Sequence, residues 1–581
     1  MQQSTPITRS LFGLGLVLSL LVLLWHSLES RFFSDDAFIA FRYARNLAQG
    51  HGLVFNPGFE AVEGFSSPLW VLLLAFFTRL GFEPPSVAMG LSALATLVLW
   101  AGLLQLTRRT LPAGSSPLWA LVPLGLLSLT RSVAVWSSGG LETRFFEALV
   151  ICTLLVLLRE LDRERAGQAA SRISLGGLLL GCLAWTRPEG ALLIFTIPLA
   201  VALLGPRDRT RLSALGRTLC TALVLLLLLF AARLWLFGEW LPNTYYAKLD
   251  GRSWWGMGLA YVAMFGLEYG AWIWLPLCLW GAVRLGRSST ALQLVLGMCG
   301  PLLIYCVAIG GDHFEYRPLD LFVPYAYWLL ALGAQQLWQK PHLRIPIGAW
   351  LLLATLGIWS LPRASKSNYP EQYQPGFPGL VQSASAARFP RGEAGLLYGL
   401  PGLEQLARWH RRLLQHTSKH FVGLRMEEHR LFLRQVKARG ERLRRLVDSG
   451  RLPADTHIAI DCVGAIPYLS DLRVLDRLGL TDAEVAHSGF VRAELSAHGK
   501  YASTALAQRQ GVDLWAVHPS FLLWESGSLE YRQVLDASRA AGQELGLAEV
   551  EPGWVLLAWL PQGLAAAQAR LPKLGLRSSL R

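Results

Sequence analysis

Long apolar stretches separated by short polar interruptions fill the first two-thirds of the chain. They fall near residues 11–28, 67–81, 87–106, 117–136, 144–159, 174–186, 188–205, 213–236, 257–283, 290–309, 318–338 and 343–361. Crossing a bilayer takes roughly 20 apolar residues in a helix, so this repetition predicts a polytopic α-helical membrane protein with about 11 transmembrane helices, some of them short. After residue 362 the pattern changes. A Pro/Ser/Gly-rich stretch over 363–395 leads into an Arg/Glu/Leu helical pattern over 403–446. Short β-type runs follow at 457–461, 513–517 and 554–560. Strand patterns alternating with helical ones predict a C-terminal soluble α/β domain. The expected division is a membrane domain over 1–362 and an extracytoplasmic α/β domain over 363–581.

Composition agrees with the lipid-facing reading. Of 581 residues, 52% are hydrophobic and only 16% charged, where a soluble protein carries about a quarter charged. The net charge of +14 raises nucleic acid as a partner, but its placement speaks for topology instead. Basic clusters at 159–165 and 207–211 lie in short loops between apolar runs, as the positive-inside bias requires of cytoplasmic loops. Basic loops near 162–172, 206–212, 284–289 and 339–344 put residues 139–144, 186–190, 238–256 and 310–320 on the opposite, extracytoplasmic side. Counting from the N-terminus also puts Asp35 and Asp36 outside. The two counts conflict over 67–117: either Arg108 and Arg109 face outward, or one short segment does not cross. The first apolar run has no small-x-small cleavage site after it, so an uncleaved first helix is expected. Six of the 7 cysteines lie in or beside apolar runs, and neither a disulfide framework nor a metal site is indicated.

The most telling polar stretch follows that first run: Ser34-Asp35-Asp36, then a short basic helix pattern carrying Arg42. Paired carboxylates at a membrane boundary are costly unless they face water or a polar cavity. Ser34 with two acids is also a good helix start, which is the structural alternative. Asp35 and Arg42 stand nearly two turns apart on one helix face, about 10 Å, a spacing that would bracket a small ligand. The outer loops add Ser138-Gly139-Gly140-Leu141-Glu142-Thr143 and Trp185-Thr186-Arg187-Pro188-Glu189-Gly190. Leu241-Pro242-Asn243-Thr244-Tyr245-Tyr246-Ala247-Lys248 and Gly310-Gly311-Asp312-His313-Phe314-Glu315-Tyr316-Arg317-Pro318 complete the set. Each alone reads equally well as a helix end, an interfacial anchor or a buried ion pair. Four of them on one membrane face, together with the acidic pair, point to a site.

In order and content these elements resemble the GT-C membrane glycosyltransferases, in particular the terminal arabinofuranosyltransferase family of mycobacteria and its bacterial relatives. The likeness also takes in Gly50-His51-Gly52, Glu63-Gly64-Phe65-Ser66-Ser67-Pro68, Gly464-Ala465-Ile466-Pro467-Tyr468 and Asp476-Arg477-Leu478-Gly479-Leu480-Thr481-Asp482. It implies a GT-C fold and inverting transfer of a sugar from a polyprenyl-phosphate donor to a cell-envelope glycan acceptor. Arabinofuranose is one such sugar. The implied place is the extracytoplasmic side of a bacterial inner membrane. The catalytic base would come from Asp35 or Asp36. Arg42, His51, Glu63, Glu142, Arg187, Glu189, Asn243, Tyr245, Lys248, Asp312 and Arg317 would hold the donor phosphate and sugar. In the tail, Tyr468, Asp476, Asp482 and His498 would face the acceptor, although Asp482 reads equally as a helix cap. The family often has His-Glu-Lys where this chain reads His498-Gly499-Lys500, which points to a different acceptor. No cofactor is called for, and a divalent metal stays open. The chemistry needs a carboxylate to take a proton from the attacking hydroxyl and cations to receive the leaving phosphate. Two other classes fit a polytopic chain: a non-catalytic assembly or flagellar motor control protein of the same fold, and a transporter. The absence of inverted repeats speaks against the last.

Overall fold

The structure, a computed structural model, describes residues 6–168, 171–206, 208–248, 253–364, 402–418, 422–491, 499–517 and 521–580. Up to Ala364 every regular element is a helix. Among the described residues, five helices are long and apolar enough to cross a membrane: Pro6–Glu29, Pro84–Thr110, Arg209–Phe237, Thr290–Ala308 and Pro341–Ser360. A sixth span results if Trp255–Glu268 and Ala271–Leu285, bent by 96°, are taken as one. The chain is a multi-pass membrane protein whose outer faces carry exposed apolar side chains such as Leu227, Val283 and Trp235.

The sequence pattern gives more spans than this because polar breaks divide several apolar runs. Pro68–Arg79 has 12 residues, about 18 Å of helix, short of a hydrocarbon core of about 30 Å. That length favours a non-crossing segment as the answer to the parity conflict over 67–117. The run 117–136 breaks at Thr130 into Leu121–Leu129 and Arg131–Trp136, because Arg131 turns inward to an ion pair. Arg187-Pro188-Glu189 separates Leu175–Thr186 from Gly190–Leu204. Where helices meet, glycine allows contact that a side chain would block. A Cβ on Gly281 would stand 2.0 Å from the Leu329 carbonyl oxygen, and one on Gly333 2.2 Å from that of Leu277, the small-residue packing expected within a bilayer.

Beyond residue 420 the chain forms a seven-stranded sheet in the order β2-β1-β5-β8-β7-β9, with β6 pairing to β8. These are β1 (His457–Ile460), β2 (Arg473–Asp476), β5 (Leu514–Ala516), β6 (Leu523–Glu525), β7 (Gly546–Glu551), β8 (Trp554–Trp559) and β9 (Arg577–Ser578). β3 (Phe490–Val491) and β4 (Lys500–Tyr501) make a separate antiparallel pair. β1 is parallel to β2 and β5, with His457 opposite Arg473. It is buried along its whole length, as a strand covered on both faces must be. β1, β5 and β8 cover the three runs read as strands. The Pro/Ser/Gly-rich stretch, apart from its first two residues, lies outside the described residues.

Helix Ala37–Ala48 joins the two parts. Phe38, Phe41 and Tyr43 belong to one continuous apolar cluster with Ile458, Ile466, Val474 and Leu514 of the tail. Buried Arg42 donates to the carbonyls of Phe55 (2.8 Å), Pro467 (2.5 Å) and Leu472 (3.0 Å).

Candidate functional site

A cavity of about 300 Å³ opens where helix ends of the membrane part meet the tail. Its polar lining comes from helix interruptions, not helix middles. Asp36 precedes helix Ala37–Ala48, Glu142 precedes Thr143–Arg165, and Arg187 and Glu189 occupy the break after Thr186. Tyr245 and Lys248 sit on the short helix Asn243–Lys248, and Asp312, His313 and Arg317 follow helix Thr290–Ala308. At such ends backbone groups already lack helical partners, so polar side chains collect there cheaply. Gly311, at φ 82°, presses so closely on Tyr261 that a Cβ would stand 2.5 Å from its ring. Ile39, Phe65, Phe146, Leu302, Ile309 and Leu321 give the wall its apolar part, beside uncharged polar groups such as Ser66, Thr244 and Tyr305.

Most charges here are already compensated. Arg187 binds Glu142 at 2.9 Å and Glu189 at 2.5 Å. Arg317 binds Asp312 at 2.7 Å and lies over the Phe314 ring at 4.7 Å. Burial works to raise the Asp312 carboxyl, but Arg317, with Arg187 and Lys248 nearby, holds it below the usual carboxylate range. Behind them, buried Arg144 joins Glu147 and Asp320. Two lining charges differ: among the described residues, neither the Asp36 carboxylate nor the Lys248 ammonium has an ion-pair or hydrogen-bond partner. Asp36 holds the N-cap position of its helix yet makes no side-chain cap bond, so helix capping does not account for it. Asp36, not Ser34, holds the N-cap position, but the Ser34 hydroxyl does accept from the Asp36 N–H two residues on, at 3.2 Å.

Of the sequence-derived residues, Asp36, Glu142, Arg187, Glu189, Tyr245, Lys248, Asp312 and Arg317 line this one cavity. The others do other work. Asp35 is turned toward the tail, where its Oδ1 accepts from the Ala465 N–H at 2.7 Å. Burial, with Asp36 adding to it and the Ala465 amide opposing, pushes its carboxyl up to about 7. Asp35 and Arg42 both meet the tail, Asp35 at the Ala465 amide and Arg42 at the Pro467 and Leu472 carbonyls, and neither lines the cavity. His51 is exposed, and Glu63 is buried against Arg233 at 2.9 Å. Asn243 donates to the carbonyls of Gly479 (2.7 Å) and Leu480 (3.0 Å). Tyr468 packs on Phe38 and under Arg45. Asp476 accepts from the Leu478 and Thr481 amides, and Asp482 caps Ala483–Ser488 through the Val485 N–H. His498 lies outside the described residues.

Sequence reasoning passed over Glu147, Tyr305, His313 and Leu480, all of which line the cavity. His313 and Leu480 lay inside quoted motifs. Glu147 was findable as the i+3 partner of Arg144 one turn beyond Glu142. No group of three or more His, Cys, Asp or Glu poised for a metal ion occurs among the described residues.

The chain is similar to terminal β-(1→2)-arabinofuranosyltransferases. It is 28% identical over 339 residues to the one from Corynebacterium glutamicum, covering 51% of this chain and 47% of that protein. To the one from Mycobacterium tuberculosis it is 29% identical over 376 residues, 58% of each. The chain thus spans about half the length of these curated relatives. Its fold is that of ArnT from Cupriavidus metallidurans, a GT-C glycosyltransferase seen bound to undecaprenyl phosphate. The TM-score is 0.52 at 15% identity, over 94% of this chain and 98% of that one. Residues 433–570, most of the tail sheet, match the family described as Domain of unknown function (DUF8728).

Proposed function

We propose that this protein is an inverting membrane glycosyltransferase. It takes a sugar, arabinofuranose on the strength of the curated relatives, from a polyprenyl-phosphate donor and adds it to a cell-envelope glycan. The reaction runs on the extracytoplasmic side of a bacterial inner membrane. The observation that carries this reading is an acid and a cation, Asp36 and Lys248, that line one cavity without an ion-pair partner among the described residues, while Glu142, Arg187, Glu189, Asp312 and Arg317 around them are paired. ArnT, of the same fold, is seen with undecaprenyl phosphate.

In this mechanism Asp36 accepts the proton of the acceptor hydroxyl as its oxygen attacks the anomeric carbon. The bond from that carbon to the phosphate oxygen breaks, and the polyprenyl phosphate leaves as an anion. One displacement inverts the anomeric centre. Lys248 receives the developing phosphate charge, with Arg187 and Arg317 behind it, both already oriented by their carboxylate partners and so requiring little reorganisation. Asp36 takes precedence over Asp35 because reach comes before pKa in choosing a base. An open cavity with two unpaired charges also speaks for an enzyme over a non-catalytic assembly protein.

The test is transfer by the purified protein from a synthetic polyprenyl-phosphate arabinofuranose to an arabinofuranosyl oligosaccharide. Lys248→Ala should weaken donor use by about tenfold or more, as loss of a charge-assisted phosphate contact does, and leave the melting temperature unchanged. Failure of the unaltered protein to bind the donor would overturn the reading.

A further inference from the structure

The turn between β2 and helix Ala483–Ser488 belongs to the tail, yet Leu480 at its crest lines the cavity beside Gly64, Pro242 and Tyr245. The turn is held from both sides. From below, the buried Asp476 carboxylate accepts from the Leu478 N–H at 2.9 Å and the Thr481 N–H at 2.8 Å. Gly479, at φ 79°, closes it where a Cβ would meet the Ala486 nitrogen at 2.8 Å. From the membrane part, one Asn243 amide nitrogen serves the carbonyls of both Gly479 and Leu480. Gly64 lets the turn approach, since a Cβ there would stand 2.7 Å from Thr481 Cγ2. Behind the turn, His487 stacks on Tyr246 at 4.4 Å, so the helix that carries Tyr245 and Lys248 is braced against the same unit. Asp476 and Gly479 shape the turn locally, and Asn243 and Gly64 hold its backbone, and with it Leu480, against the membrane part.

We propose that residues 477–482 are the acceptor-side wall of the cavity, and that Leu480 sets how large an acceptor sugar can enter. This rests on the glycosyltransferase reading. The donor's lipid chain must reach the cavity from the membrane, whereas the acceptor glycan arrives from the aqueous side, where the tail stands. Asn243 is then a positioning residue that acts through Leu480.

Kinetics of the full-length protein test the proposal, with polyprenyl-phosphate arabinofuranose as donor and linear and branched arabinofuranosyl oligosaccharides as acceptors. Leu480→Trp should raise KM for the linear acceptor about tenfold or more, the range expected for crowding an apolar pocket, with KM for the donor unmoved. Leu480→Ala should improve use of the branched acceptor relative to the linear one, which also covers misfolding of the bulkier variant. Equal shifts in both KM values, or no shift in either variant, would overturn the wall while transfer by the unaltered protein leaves the enzyme reading standing. No transfer by the unaltered protein would overturn both.

Discussion

Neutralising Asp35 and Asp36 one at a time separates two jobs that adjacent carboxylates share out here. Asp36→Asn removes the only cavity-lining acid with no partner among the described residues, and turnover should fall by at least ~10²-fold, the usual consequence of losing a general base. Asp35→Asn should keep most of its turnover, because asparagine's Oδ1 still accepts from the Ala465 N–H. Its effect belongs to stability. Burial lifts the Asp35 carboxyl from 3.8 to about 7, so between those pH values the folded chain holds a proton that the unfolded chain has released. Stability therefore falls as pH rises through that window, by up to about 4 kcal/mol at 1.36 kcal/mol for each pH interval of one. Asparagine has nothing to ionise and avoids the loss. In detergent, Asp35→Asn should melt with the unaltered protein near pH 4 and above it near pH 8, while Asp36→Asn should follow the unaltered protein near pH 4 and rise above it by less than Asp35→Asn near pH 8, since it removes only the neighbouring charge that adds to the Asp35 shift. Melting curves at the two pH values, paired with transfer rates, check this. A folded Asp35→Asn protein without transfer beside an active Asp36→Asn would refute the assignment.

Two further outcomes follow from the ion pairs and the topology. Arg131 binds Glu315 at 2.6 Å and Glu427 at 2.8 Å, so Arg131→Ala removes the cation of a buried ion pair and should cost about 3–5 kcal/mol, read as a lower melting temperature, whereas Asp36→Asn should not lower it. A reporter active only in the cytoplasm, fused after Arg581, should be silent if the tail is extracytoplasmic; strong activity would reverse the sidedness of the cavity as well.

Much of the cavity was legible because its polar residues interrupt apolar runs, and such interruptions show in a hydropathy pattern. Arg187 and Glu189 stand out in that way, as do Asp312 and Arg317. What the pattern could not give is direction. Asp35 and Asp36 are neighbours in sequence, but successive residues at a helix start point apart, and only the position of Gly464 shows which one the tail covers. A Cβ on Gly464 would stand 2.1 Å from the Asp35 carbonyl oxygen, a contact between residues 429 positions apart that no local spacing encodes. Glu63 and Asn243 show the same limit: both sit in the quoted motifs, yet their side chains meet distant partners, Arg233 and the Gly479-Leu480 turn, and do not line the cavity. Among the described residues five or six helices meet a length-and-composition test for spanning, against about 11 expected, because hydropathy registers an apolar run without registering the turn that splits it.

The distribution of compensated charge argues for where chemistry happens. Burying a charge without a partner is costly, and around this cavity the chain avoids that cost at nearly every position: Arg187 has two glutamates, Arg317 has Asp312, Arg144 has Glu147 and Asp320, and Glu63 has Arg233. Asp36 and Lys248 differ: they line the same space, one of each sign, without an ion-pair partner among the described residues. Both are only half-buried, so water can solvate them and no such cost forces them to pair. They are therefore available to partners that come and go, a hydroxyl proton for Asp36 and a phosphate for Lys248. The arginines, already fixed by their carboxylates, then need not move when that phosphate arrives.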